Sequence, residues 1–290
     1  SKIPLLSLAV DTPYHIVFTK CVIPTQSIIS LSSSQVSKGE LHMTASDELQ
    51  TARENLAAAY RLADKFGFNE GIDNHFTMAV PEQSDRFLLI PYGLHWSEVT
   101  ASTLMIVDGA GTRIEGEGFV EPSAFHIHSA IHKARPDAVC VMHCHPPYPL
   151  ALCMIQNGRL EYADQNACRF YGKIAYDDDF NGVALDKDEG SRIADALRDN
   201  DILFMANHGI TVTGSNVPHA WEQLYFLNRA CQAQVLAMST GQPLKKIPEP
   251  IVKSVAREIE TEASGAAANY QRHFTALKRL LESEEPNYRH

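Results

Sequence analysis

Two apolar runs that end in histidine constrain this chain most. The first is Val139-Cys140-Val141-Met142-His143-Cys144-His145, closed by Pro146 and Pro147. A short apolar run bounded by prolines predicts a buried strand, because proline cannot donate to a strand ladder. Side chains alternate across a strand, so His143 and His145 leave the same face at its end and Cys144 points to the other. The second run, Ile202-Leu203-Phe204-Met205, passes through Ala206 and Asn207 to His208 and Gly209, where the backbone is free to turn. Three imidazoles at two strand ends have the pattern of a three-histidine metal site, which keeps a position open to water or substrate. The same spacing also suits two hydrogen-bonded core histidines and a third that faces solvent.

With 290 residues, 44% of them hydrophobic and 21% charged, the chain has the composition of a globular protein with a sizeable core. Its net charge of -10 argues against a nucleic-acid partner, which would call for a basic patch or stripe. No apolar run approaches a membrane span. The six cysteines have no paired framework spacing. They read as reduced, buried thiols, and so predict a cytoplasmic protein.

Residues 1 to 42 are rich in Ser, Thr and Pro and have no sustained period. They are expected to form an extension, poorly ordered or packed on a neighbour, outside a single domain of residues 43–290. From Ser46, the spacing of Leu49, Ala52, Leu56, Ala59 and Leu62 predicts an amphipathic helix to Phe66. Strands are predicted over 76–80, 86–91 and 104–108, and again over 171–176. Helices are predicted over 124–133, 149–156, 186–198 and 219–239, with two more before the end. Strands and helices interleave throughout, which predicts a three-layer α/β/α sandwich or a mixed-sheet relative. There is no glycine-rich nucleotide fingerprint. The 219–239 helix has apolar residues spread widely round it (Leu224, Leu227, Ala230, Cys231, Val235), which predicts packing both in the core and on a neighbouring subunit.

The order of motifs resembles the class II aldolase/adducin family. The matching pieces are Gly71-Ile72-Asp73-Asn74-His75-Phe76-Thr77, the stretch 87–93 ending in Pro91-Tyr92-Gly93, and Thr100-Ala101-Ser102-Thr103-Leu104. They continue with Pro122-Ser123-Ala124-Phe125-His126-Ile127-His128, Ala134-Arg135-Pro136-Asp137, the His143–His145 strand and Asn207-His208-Gly209. The likeness spans roughly residues 47–245. It implies a mostly antiparallel central sheet flanked by helices, a homotetramer, and an active site near a subunit interface. It also implies a divalent metal in each chain, zinc first, with manganese or iron also compatible. The ligands would be His143, His145 and His208, which places the chain with the metal-binding branch rather than with the adducins.

One departure from the family pattern bears on chemistry. Sugar-phosphate aldolases of the family carry Pro-Ser-Ser-Glu where this chain has Pro122-Ser123-Ala124-Phe125. Counting back from His128 puts Ala124 at the glutamate position; counting forward from Pro122 puts Phe125 there. Neither side chain takes a proton, and an aldolase that forms an enediolate needs a base within reach of the proton it removes. Decarboxylation needs no prior C–H deprotonation. The expected activity is therefore that of a metal-dependent lyase acting on a small oxygenated carboxylic acid or sugar-acid-like substrate. It would proceed by decarboxylation or aldol-type cleavage through a stabilised enolate. The alternatives are an adducin-like interaction protein and a non-haem iron oxygenase. His126 and Tyr171 are the proton-transfer candidates, with His75 as a further one. Asn74, His75, Ser123 and Arg169 are the substrate-binding candidates. His126 and His128 lie two apart on one helix and cannot both face the site.

Overall fold

A computed structural model of the chain describes residues 44–182, 187–263 and 269–290. The expectation for residues 1–42 falls outside the described residues. The described residues form an eight-stranded sheet in the order β4-β3-β2-β1-β5-β8-β7-β6. These strands are β1 (His75–Val80), β2 (Gln83–Leu89), β3 (Met105–Asp108), β4 (Arg113–Glu115), β5 (Cys140–Cys144), β6 (Ile174–Asp177), β7 (Ile202–Met205) and β8 (Gly209–Gly214). All pairings are antiparallel except β6 with β7. The three-layer sandwich read from the element pattern, with the mostly antiparallel sheet that the resemblance implies, is thus the architecture observed.

Helices cover both faces of the sheet. α1 (Ala45–Lys65), α3 (Pro147–Cys153), α6 (Val217–Met238) and α8 (Asn269–Glu284) lie on one side, with α7 (Glu249–Ala263) against α8. Their core takes Phe76, Met142, Cys144, Ile210 and Val212 from the sheet and Leu56, Tyr60, Trp221 and Leu224 from the helices. On the other side α2 (Pro122–Ala134) packs against α5 (Lys187–Leu197). There Ile127, Ile131, Ile193 and Leu197 meet Val141, Leu203 and Met205. Alternation along β5 divides its residues between these two cores: Cys140, Met142 and Cys144 go one way, Val141 and His143 the other.

Local chemistry sets the ends of these elements. α1 starts one residue before Ser46, because Thr44 and Asp47 form a capping box: the Thr44 hydroxyl accepts from Asp47 N, and the Asp47 carboxylate accepts from Thr44 N. The alanines at 57, 58, 59 and 63 are fully buried, so the helix lies close on the sheet. The Tyr60 hydroxyl accepts from Phe76 N and donates to Phe76 O, each at 2.7 Å, tying α1 to β1. Gln165–Cys168 form a short helix, α4, that the pattern does not predict. The strand predicted over 171–176 begins only at Ile174, after a left-handed turn at Gly172. Residues Leu224, Leu227, Ala230 and Cys231 of α6 are buried within their own chain. Val235 is half-buried, and Leu236 and Met238 at the end of α6 are exposed.

Candidate metal centre

The three histidines predicted from strand ends come together. His143 sits on β5 opposite His75 of β1 and Thr211 of β8. His145 follows two residues later, where Pro146 and Pro147 end the strand and open α3. His208 stands in the tight connection from β7 to β8, where Met205 pairs with Gly209. Asn207 takes a left-handed φ of 57° there, and its N–H donates to Cys153 O at 3.0 Å. The connection is thereby fixed, and His208 is delivered beside the end of β5. The ring centroids of the trio lie 4.9, 4.9 and 5.1 Å apart. One ligating nitrogen from each lies within 4.8 Å of the others.

Their hydrogen bonds assign the tautomers. His143 Nδ1 is 2.9 Å from Ile210 O, an acceptor, so Nδ1 carries the proton. Burial holds the His143 imidazole far below its usual pKa, so the ring is neutral and its Nε2 is a bare lone pair. His145 Nδ1 donates to the Glu70 carboxylate at 2.5 Å, which turns its Nε2 inward as well. The two Nε2 atoms face each other at 3.2 Å. At that distance a proton or a cation between the two nitrogens relieves the repulsion of their lone pairs. Burial lowers the His208 pKa to about 4, so that ring also offers a free nitrogen at neutral pH. Three imidazoles, two of them anchored by a carbonyl and a carboxylate, fit a divalent ion.

The trio opens into a cavity of about 640 Å³, whose wall includes Asn74, His75, Tyr92, Leu150 and Phe180. Three carboxylates, those of Glu70, Asp73 and Glu121, also line it, and no lysine or arginine does among the described residues. Asn74 is buried; its Nδ2 donates to Glu70 at 3.4 Å, and its Oδ1 has no partner. His75 is buried with its Nε2 unpartnered, and desolvation lowers its pKa to about 4 despite the opposing charge of Glu121. Ser123 lies in α2, but its side chain is outside the described structure.

Other sequence candidates lie elsewhere in the chain. His126 lines a separate cavity with Ser84, Asp85 and Lys133. Helical spacing turns it away from His128, which faces β1 and bonds Thr77. Phe125 packs with Phe87 and Val107, so it too turns away from the trio. Arg169 pairs with Glu222 at 3.4 Å and stacks over Phe226 at 3.8 Å. The Tyr171 hydroxyl donates to Glu249 at 2.7 Å. Neither Arg169 nor Tyr171 reaches the cavity of its own chain. Glu70 and Glu121 are cavity residues that the sequence patterns do not single out. Glu121 stands one residue before the Pro122 motif. Glu70 stands one residue before the Gly71 motif, and that adjacency is the only signal for either.

The profile of the Class II Aldolase and Adducin N-terminal domain matches residues 54–235. Decarboxylase NovR of Streptomyces niveus is 33% identical over 225 residues, covering 77% of this chain and 83% of that protein. Alpha-adducin of Rattus norvegicus is 35% identical over 248 residues, or 80% of this chain but 33% of its own length. Among solved structures, an L-fuculose 1-phosphate aldolase from Glaciozyma antarctica PI12 superposes with a TM-score of 0.74 at 30% identity, covering 85% of this chain and 96% of its own. The profile match covers well over half of the chain, and with these relatives it shows that the protein belongs to the class II aldolase/adducin family.

Proposed function

We propose that this protein is a divalent-metal-dependent lyase that cleaves a carbon–carbon bond next to a carboxylate, with decarboxylation as its reaction. The convergence of His143, His145 and His208 on one wall of the cavity carries this reading. A divalent ion held by the trio would supply a Lewis acid for a chelated carboxylate and a neighbouring oxygen. The protein's own residues do the rest. Ile127 and Leu150 give the cavity an apolar stretch of wall beside the trio. Loss of CO2 breaks the C–C bond and leaves its electron pair on the substrate as an enolate. A proton then has to reach that carbon, and the cavity wall offers the Tyr92 hydroxyl as its donor, while His75, lowered to about 4 by burial, stays neutral and serves as a hydrogen-bonding residue of the wall.

Decarboxylation is preferred to aldol cleavage because the family's glutamate is replaced. Phe125 packs into the sheet, and alanine at 124 has nothing to ionise. The likeness to Decarboxylase NovR supports the same choice. The exposed rim residues Tyr92, Met154 and Phe180 suit a cavity mouth covered by a second copy, in keeping with a homotetramer. Light scattering that returned a monomer would remove this part of the proposal.

The test is to incubate zinc-, manganese- and iron-loaded protein with a panel of 2-hydroxy, 2-oxo and 3-oxo acids, monitoring CO2 and carbonyl products. CO2 release that disappears in His143→Ala supports the reading. Carbonyl products without CO2 would point to aldol cleavage, and turnover that needs O2 would point to the oxygenase alternative. The likeness to alpha-adducin favours a second reading, a non-enzymatic interaction protein. Failure of the wild type to take up any metal would favour that one.

A further inference from the structure

We infer that Glu70 is the positioning residue of the centre: its carboxylate fixes the ring of His145 and joins the histidine trio to the Asn74–His75 wall of the cavity. The inference rests on the trio holding a metal, as proposed above.

Glu70 has a single short contact with the trio, the 2.5 Å bond from His145 Nδ1 to its Oε2. A histidine ring can turn over about its last side-chain bond, and the only other polar contact of the His145 ring among the described residues is with His143. With Nδ1 held by a carboxylate, Nε2 must point at His143 and His208. A carboxylate behind a ligating imidazole also makes the other ring nitrogen a stronger donor.

The side chain of Glu70 is 57% exposed, so the ion pair by itself adds little to stability. Its effect is geometric, and it depends on a stiff support. That support is the turn between α1 and β1. Asp73 N donates to Glu70 O at 3.1 Å, and Gly71 and Asn74 take left-handed φ values of 65° and 71°. A Cβ on Gly71 would meet nothing within 4 Å, so the backbone angle and not space calls for glycine there. Before the turn, Phe68 is buried and its ring lies 6.0 Å from that of Trp221. Asn69 Nδ2 lies 3.2 Å from His95 Nε2. After the turn, Asn74 Nδ2 reaches back to Glu70 Oε2, and His75 enters β1 opposite His143. One turn therefore carries both the anchor of a ligand and two residues of the cavity wall.

Two measurements on the full chain test this: zinc affinity by chelator competition, and the His145 tautomer by 15N-edited NMR of the metal-free protein. Glu70→Ala is expected to weaken zinc binding roughly 10–100-fold. It should also convert His145 from the Nδ1–H form to a mixture of tautomers, with the thermal midpoint of the metal-free protein unchanged. Glu70→Gln keeps an acceptor oxygen at the same reach and should restore part of the affinity. A Glu70→Ala protein that binds zinc within about twofold of wild type and keeps the Nδ1–H signal would overturn the inference. If the wild type itself binds neither zinc nor manganese nor iron, the proposed function fails, and the tautomer measurement alone decides the role of Glu70.

Discussion

The Thr77 hydroxyl lies 2.7 Å from His128 Nδ1, and it is shared with His132 Nε2 at 2.8 Å. His132 Nδ1 donates to Ala138 O at 2.8 Å, which leaves its Nε2 as an acceptor when the ring is neutral. Thr77 must then donate to His132 and accept from His128. Every proton in this buried chain is accounted for, and His128 Nε2 is left as an unpartnered acceptor beside His75, whose ring is 6.4 Å away. The arrangement requires neutral imidazoles, and burial supplies that condition.

Acid should therefore destabilise the metal-free protein. Burial lowers His75 and His132 from 6.5 to about 4 and holds His128 well below 6.5. Their folded pKa values lie below the unfolded value, so the unfolded chain binds more protons between the two. Stability is then fully present above pH 6.5 and is lost as pH falls toward 4. For a single imidazole, displacement from 6.5 to about 4 is on the order of 3 kcal/mol when fully expressed. Urea midpoints measured from pH 8 to pH 4.5 should be level above 7 and fall steadily below 6.5. A flat profile would show that these rings are not buried as neutral species.

Gly209 should prove intolerant of a side chain. A Cβ there would come 2.3 Å from His145 Cδ2 and 2.9 Å from Cys144 O. Gly209→Ala must displace one of them, and His145 is the softer. Metal affinity should drop by roughly 10–100-fold, and stability by about 1–3 kcal/mol. Isothermal titration against unfolding curves separates the two effects; an unchanged affinity would show that His145 is not a ligand.

Small dianions should bind only in the presence of metal. Glu70, Asp73 and Glu121 line the cavity, and among the described residues no lysine or arginine does. Without a cation the wall repels a carboxylate. Oxalate should give no heat with metal-free protein and saturable binding after zinc or manganese is added. Equal binding in both states would place a cationic group in the wall and remove the metal from substrate recognition.

Cys144 should not affect metal content. It is fully buried on the face of β5 opposite the two histidines that flank it. Cys144→Ala should keep the metal stoichiometry of the wild type while losing a little stability. Loss of metal in that variant would contradict the strand register.

Strand alternation makes the centre legible in the amino-acid sequence itself. His143 and His145 are two residues apart, Cys144 is between them, and no tertiary information is needed to place all three. His208 is legible because its strand ends in Asn207 and Gly209, residues that tolerate a tight reversal. Glu70 is not: it lies 75 residues from His145, and only the turn at Gly71 and Asn74 brings the two together. The distance of Arg169 and Tyr171 from the cavity of their own chain has a local cause. Gly172 breaks the predicted strand, and both side chains are drawn to acidic partners, Glu222 and Glu249. The apolar face of α6 is buried by α8 and the sheet from Leu224 to Cys231, while Leu236 and Met238 beyond it stay exposed.

The most direct test of the central claim is metal content by mass spectrometry in protein purified without added metal, wild type beside His143→Ala. The account predicts about one zinc, manganese or iron ion per wild-type chain and none in the variant. No ion in the wild type, even after reconstitution, or an equal content in His143→Ala, would contradict it.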